Sequence, residues 1–204
     1  MRRRRHLIVF AKAPALGRVK SRLARDVGAL AALAFYRHAL GGLLARVARD
    51  PRWRTVLAVT PDPAAVDRRA FRGIRAARGV KRIAQGPGDL GMRMARALRQ
   101  APPGPAIIIG SDIPDITAAR IAGAFRALGV VDVVLGPALD GGYWLVGLRR
   151  GPPLPDMFRG VRWSSAAALA DTLANLPRAH GRGARLIETL NDVDDGAAFA
   201  RRRR

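Results

Sequence analysis

Short apolar-rich runs recur along the chain, each closed by glycine, proline or a charged residue. Residues 7–11 are continuously apolar, as is 106–109, the most apolar run of all. Unbroken runs of this length fit strands covered on both faces. Further strands are predicted at 55–59, 81–85, 131–135, 143–148 and 185–190. Between them lie stretches with helical character. The first covers about 18–49, with breaks expected at Gly28 and at Gly41-Gly42. Others are predicted at about 64–71, at 90–100, from a Thr117 cap to Leu128, and from Ser164 or Ser165 to about Leu176, with a terminal helix opened by Asp194-Asp195.

Strands alternating with helices argue for an α/β sandwich with a mostly parallel sheet. Only a short connection around Asp140-Gly141-Gly142 separates two of the strands, so the sheet is expected to be mixed. No internal repeat and no linker stands out, and 204 residues suit one domain spanning 1–204 with basic tails at 1–5 and 201–204. No apolar run approaches the ~20 residues of a membrane span. Lys12 interrupts the first apolar run too early for a signal peptide, which places the protein in the cytoplasm as an expectation. With no cysteine, disulfides and thiolate metal sites are excluded. The oligomeric state has no signature in the sequence.

The formal net charge is +22, carried almost entirely by arginine. Abundant alanine beside it is what GC-rich coding produces, and arginine runs at both ends fit solvated tails. A nucleic-acid partner is permitted by the charge but has no second signal, because the stacking aromatics of an RNA-binding sheet are missing.

In open α/β sheets, ligands bind beyond the carboxyl ends of the strands. After the first strand come Lys12, Gly17, Lys20 and Arg22. Glycine lets backbone approach a phosphate, a helix start offers N–H groups, and these cations add charge. Lys12, Lys20 and Lys81 are the only lysines in an arginine-rich chain, so two of three fall in this segment. It is not a P-loop, lacking G-x-x-x-x-G-K-[ST]. Gly86-Pro87-Gly88-Asp89-Leu90-Gly91 matches G-x-G-x-x-G, with Asp112 about twenty residues on. The unit is third rather than first, and Pro87 removes an N–H, which argues against a dinucleotide site. Gly88 and Asp89 are instead candidates for contact with a nucleotide, and Gly91 for a structural turn.

Asp112 ends the most apolar strand, in Gly110-Ser111-Asp112-Ile113-Pro114. A carboxylate there needs a partner. Mg²⁺ or Mn²⁺ is a natural one, since such ions take one or two carboxylates plus phosphate oxygens; the plainer alternative is a helix cap, for which Thr117 competes. Asp140 sits among Gly141, Gly142, Tyr143 and Trp144, where it can serve as base toward a substrate hydroxyl or simply close a hairpin. Gly141, Gly142 and Tyr143 are candidate substrate contacts, and Tyr143 with Trp144 a platform for a sugar or base. Asp192, nearest the last strand, is the candidate second metal ligand.

The segments Phe10-Ala11-Lys12-Ala13-Pro14, Gly17-Arg18-Val19-Lys20-Ser21-Arg22-Leu23, Gly88-Asp89-Leu90-Gly91, Gly110-Ser111-Asp112-Ile113-Pro114, Gly136 to Tyr143 and Asp192-Val193-Asp194, in this order, resemble the selenodomain-associated transferase 1 family. That family belongs to the GT-A, nucleotide-diphospho-sugar transferase superfamily. Lys20-Ser21-Arg22-Leu23 is also similar to phospholactate guanylyltransferases. The resemblance implies a three-layer α/β/α GT-A sandwich with a nucleotide across the first loop, and places Asp112 and Asp192 at the superfamily's metal-binding positions. Ser111-Asp112-Ile113-Pro114 is not D-x-D and is closer to the D-x-P of nucleotidyltransferases, while their glycine-rich start ending in R-x-G is replaced here. Two reactions therefore remain: a metal-dependent transferase taking a nucleotide-sugar donor to an unidentified acceptor, and a nucleotidyltransferase releasing pyrophosphate. A non-enzymatic polyanion-binding protein is the third reading.

Overall fold

A computed structural model describes residues 4–149, 156–176, 182–193 and 195–201. Asp194, residues 1–3 and residues 202–204 lie outside them. The strands are β1 (His6–Lys12), β2 (Arg54–Thr60), β3 (Lys81–Ala84), β4 (Ala106–Ile109), β5 (Val133–Pro137), β6 (Tyr143–Leu148) and β7 (Ala184–Leu186). They form one sheet in the order β3-β2-β1-β4-β6-β5-β7. β6 runs antiparallel to β4 and to β5, and the other pairings are parallel. The mixed, mostly parallel sheet is thus as the sequence pattern predicts.

Strand pleating assigns alternate residues to opposite layers. Leu7, Val9 and Ala11 of β1 join one core with Leu40, Leu43 and Leu44 of α2 (Ala29–Val47) and Ile121 and Phe125 of α4 (Ala118–Ala127). Ile8 joins the other, with Met94, Ala97 and Leu98 of α3 (Leu90–Gln100). Helices therefore cover both faces, which makes the three layers. Two short helices come late in the chain: α5 (Ala168–Ala174), whose Leu169 and Leu173 pack against the second core, and α6 (Gly196–Arg201), whose Phe199 meets Phe35 of α2 edge-on.

The predicted break at Gly28 is present. Its φ of 85° closes α1 (Ser21–Val27) and opens α2. The break expected at Gly41-Gly42 is not: α2 runs through both. Helix-interior glycine costs about 1 kcal/mol, which the fully buried Leu40, Leu43 and Leu44 around it outweigh. The helix predicted over 64–71 is a single 3₁₀ turn, Asp62–Ala65. Asp67 Oδ1 accepts from Arg69 N at 2.8 Å, and such local bonds compete with helix. Neither Ser164 nor Ser165 caps α5, which starts three residues after Ser165. Thr117 caps α4, accepting from Arg120 N, and Asp195 Oδ1 accepts from Ala198 N in α6. Arg5 is no free tail, because its carbonyl accepts from Arg54 N and its guanidinium lies over Phe125.

Gly136 in β5 sits against the fully buried Trp144 of β6, and a methyl group there would come within 2.5 Å of the indole. Gly123 in α4 has only ordinary contact, 3.6 Å from Arg126. Gly136→Ala should therefore cost about 1–3 kcal/mol by overpacking, whereas Gly123→Ala should add about 0.5–1 kcal/mol. Urea denaturation of the two variants checks both signs.

Candidate functional site

The sheet order reverses between β1 and β4. β1 leads outward to β2 and β3, and the chain then returns to β1's other side. This is a switch point, where parallel sheets open a crevice at their carboxyl ends. β1 delivers Lys12 there and β4 delivers Ser111 and Asp112. β6 starts at this same end because it is antiparallel, bringing Tyr143 and the Asp140 turn with it.

The crevice floor is held by a residue the sequence reading did not single out. Tyr36 is buried on α2, and its hydroxyl accepts from Lys12 N and donates to Lys12 O, both at 2.9 Å. Its single proton being spent, Ser111 Oγ, 3.2 Å away, is the donor toward it. Burial pushes the tyrosine up to about 12, more than the Ser111 and Lys12 bonds lower it, so the proton is present at physiological pH. The signal available in sequence was faint: a lone tyrosine in the apolar stripe of a helix.

Asp112 and Asp192, the two predicted metal ligands, converge. Both face the ammonium of Lys20, with Asp112 Oδ2 at 2.8 Å and Asp192 Oδ2 at 3.9 Å. The lysine side chain is 4% exposed, the carboxylates about a third. Lys20, predicted for phosphate, is thus turned onto the carboxylates. Its backbone adopts left-handed φ 48°, ψ 51° just before α1, which aims the side chain into the crevice. Among the described residues no three His, Asp or Glu gather into a ready-made metal cage. Two carboxylates sharing one cation are nevertheless what Mg²⁺ or Mn²⁺ needs from protein when phosphates supply the rest.

Arginines brace both carboxylate loops. Arg46 donates to the carbonyls of Pro114 and Ile116, and Arg120 to that of Asp115. Arg120 also makes a two-point pair with Glu188, which holds that carboxyl below its usual range. One guanidinium thereby links the loop after Asp112 to the segment leading to Asp192. Trp144 adds to this by donating from Nε1 to Glu188 O at 3.0 Å. The expected platform role of Trp144 is overturned, since the ring is 2% exposed and belongs to the core.

The other candidates occupy the same end of the sheet. Lys12, Gly17 and Arg22 are exposed there. Asp89 caps α3, accepting from Met92 N at 2.8 Å. Gly86 N donates to Asp62, and Gly88 O accepts from Arg93. Gly91 is structural, with Trp163 and Phe158 against it. Asp140 Oδ1 accepts from Gly142 N at 2.9 Å, and the Gly141 turn leaves no room for a side chain against Ala166. Tyr143 stacks edge-on to Trp163, and its hydroxyl, raised above its usual range by burial, contacts Thr172. Grooves of about 740 Å³ (Phe35, His38, Phe199) and 380 Å³ (Arg49, Arg75, Arg78) flank α2, and neither is lined by Asp112, Asp140 or Asp192. No helix among the described residues is long and apolar enough to cross a membrane.

Tyr36→Phe should lower stability by about 1–3 kcal/mol, the cost of leaving buried polar groups at Lys12 without their partner. Thermal denaturation reads this, and an unchanged melting temperature would remove the clamp from the account.

The profile of the family described as "uncharacterized protein conserved in bacteria (DUF2064)" matches residues 43–165. A crystal structure from Desulfovibrio desulfuricans G20, provisionally described as a nucleotide-diphospho-sugar transferase, is 32% identical over 94% of this chain and 82% of its own, with a TM-score of 0.84. CMP:2-keto-3-deoxy-manno-octonic acid synthetase complexed with CTP is 12% identical, covering 98% of this chain and 97% of its own, with a TM-score of 0.56. Rv0371c of Mycobacterium tuberculosis H37Rv, in complex with manganese, is 15% identical over 98% of this chain and 97% of its own, with a TM-score of 0.53. The last two share the fold. The expected sandwich is therefore that of nucleotide-diphospho-sugar transferase-like structures. No curated protein matches the chain in sequence.

Proposed function

We propose that this chain, which belongs to the DUF2064 family, is a metal-dependent transferase that takes a sugar from a nucleotide-sugar donor to an acceptor hydroxyl. One observation carries the reading: Asp112 and Asp192, far apart in the sequence, face a single cation at the switch point. The manganese complex of a protein of this fold agrees with it, as does the relative provisionally described as a nucleotide-diphospho-sugar transferase.

Asp112 and Asp192 would hold Mg²⁺ or Mn²⁺, which supplies charge neutralisation to a diphosphate leaving group. Lys12 at the end of β1 and Arg22 in the first turn of α1, both exposed, would add positive charge to the phosphates. In the transfer the acceptor oxygen bonds to the anomeric carbon, the bond from that carbon to the phosphate oxygen breaks, and the nucleoside diphosphate leaves. Asp140 is the group proposed to take the acceptor's proton. Its Oδ1 is oriented by Gly142 N, so its place is set before the substrate arrives. Gly88 and Asp89 would approach the nucleotide, and Gly141, Gly142 and Tyr143 the acceptor side.

Nucleotidyl transfer is the second reading, favoured by Ser111-Asp112-Ile113-Pro114 and by the shared fold of a CTP-bound synthetase. There an acceptor oxygen would attack the α-phosphorus and pyrophosphate would leave.

A thermal-shift panel of nucleoside triphosphates and nucleotide sugars with Mn²⁺ should find a stabilising ligand, worth about 2.7 kcal/mol at 100 times its Kd. Asp112→Asn keeps the shape and removes the charge. It should weaken Mn²⁺-dependent binding of that ligand by about tenfold or more, a loss of about 1.4 kcal/mol, in calorimetry with and without the metal. Equal binding by variant and parent would sink the metal assignment. Release of nucleoside diphosphate, rather than pyrophosphate, decides for sugar transfer.

A further inference from the structure

In this structure the space between Asp112 and Asp192 already holds a cation, and the chain itself supplies it. Lys20 Nζ is within ion-pair distance of both carboxylates. The lysine is far more buried than either partner, so its ammonium is held inside the crevice rather than laid over it. Its left-handed backbone is one that residues with side chains rarely adopt. Val19 on one side and Leu23 in the first turn of α1 are both buried and anchor the junction. Gly17, three residues earlier, has positive φ and open space around it.

We propose that Lys20 is a tethered occupant of the metal position, exchanged for the divalent ion only when a nucleotide's phosphates offer its ammonium a new partner. The proposal rests on the reading of Asp112 and Asp192 as metal ligands. An ammonium and a divalent cation cannot both stand about 3 Å from one carboxylate without strong repulsion. Metal entry therefore requires the lysine to leave, and a buried ammonium does not leave without a counter-charge. Diphosphate or triphosphate oxygens provide that counter-charge. Metal alone then binds weakly, and nucleotide and metal bind as a coupled pair, each strengthening the other by the same factor. Without metal, the lysine keeps two converging carboxylates from repelling each other, so the site stays formed.

The test compares Mn²⁺ binding without nucleotide, by electron paramagnetic resonance of free Mn²⁺, in the parent, Lys20→Met, Lys20→Arg and Asp112→Asn. Lys20→Met should bind Mn²⁺ about tenfold more tightly than the parent, within the usual range of couplings between sites. Lys20→Arg keeps the tethered charge and should bind as weakly as the parent. If Lys20→Met is unfolded without metal, Mn²⁺ but not K⁺ should restore its far-UV circular dichroism. Mn²⁺ binding by Lys20→Met no tighter than the parent's, or failure of Mn²⁺ to refold it, overturns the exchange. The two readings fail separately: if Asp112→Asn leaves Mn²⁺ binding unchanged, the ligand assignment fails. If Asp112→Asn abolishes binding while Lys20→Met gains nothing, only the exchange fails.

Discussion

The ion pair between Lys20 and Asp112 joins a loop after β1 to the end of β4, and its lysine is almost wholly out of water. Charges so placed are tolerated only where geometry is held tightly, because desolvation opposes them and attraction repays it at close range alone. Much of the surrounding structure supplies that geometry. Tyr36 fixes both backbone groups of Lys12 and reaches Ser111, which sets β1 against β4 beneath the pair. Arg46 and Arg120 hold three successive carbonyls after Asp112. Trp144 and Arg120 hold Glu188, four residues before Asp192.

This arrangement changes the meaning of the arginine excess. Arginines 46, 82, 93, 96 and 120 donate to loop carbonyls at several points around the fold. A guanidinium has five donors in a rigid fork and no acceptor, which suits bridging carbonyls that no strand or helix satisfies. Part of the net charge of +22 is thus spent inside the fold and is no measure of affinity for a polyanion.

The strands were readable because their apolar runs are continuous: 106–109, 143–148 and the mixed sheet follow from pattern alone. The helix over 64–71 was misread because its Ala-Ala start suggests helix, while Asp67 closes a local turn. The last strand was read too long, since its regular pairing ends at Leu186; Ile187 N still donates to Leu135 O, and Leu190 adds an isolated bridge to Ala138. At the site, Asp112 was visible as a costly carboxylate at the end of an apolar strand, and Asp192 as the acid nearest the last predicted strand, at a position the family resemblance also marks. Their supports could not. Tyr36 and Ser111 are 75 residues apart, and Arg46 and Ile116 are 70. In a chain full of arginine, nothing marks the two that brace the loops. Lys20 stood out as a rare lysine, but its partner depended on a left-handed backbone that sequence does not announce for a non-glycine residue.

A crystal structure with Mn²⁺ and the nucleotide that most stabilises the protein decides whether Asp112 and Asp192 hold a metal and whether Lys20 gives way to it. Anomalous scattering should locate manganese on the carboxylates of Asp112 and Asp192, with phosphate oxygens completing its shell and Lys20 Nζ turned to a phosphate. Manganese or nucleotide bound elsewhere, with the Lys20–Asp112 pair intact, would mean that these carboxylates are not the metal's ligands.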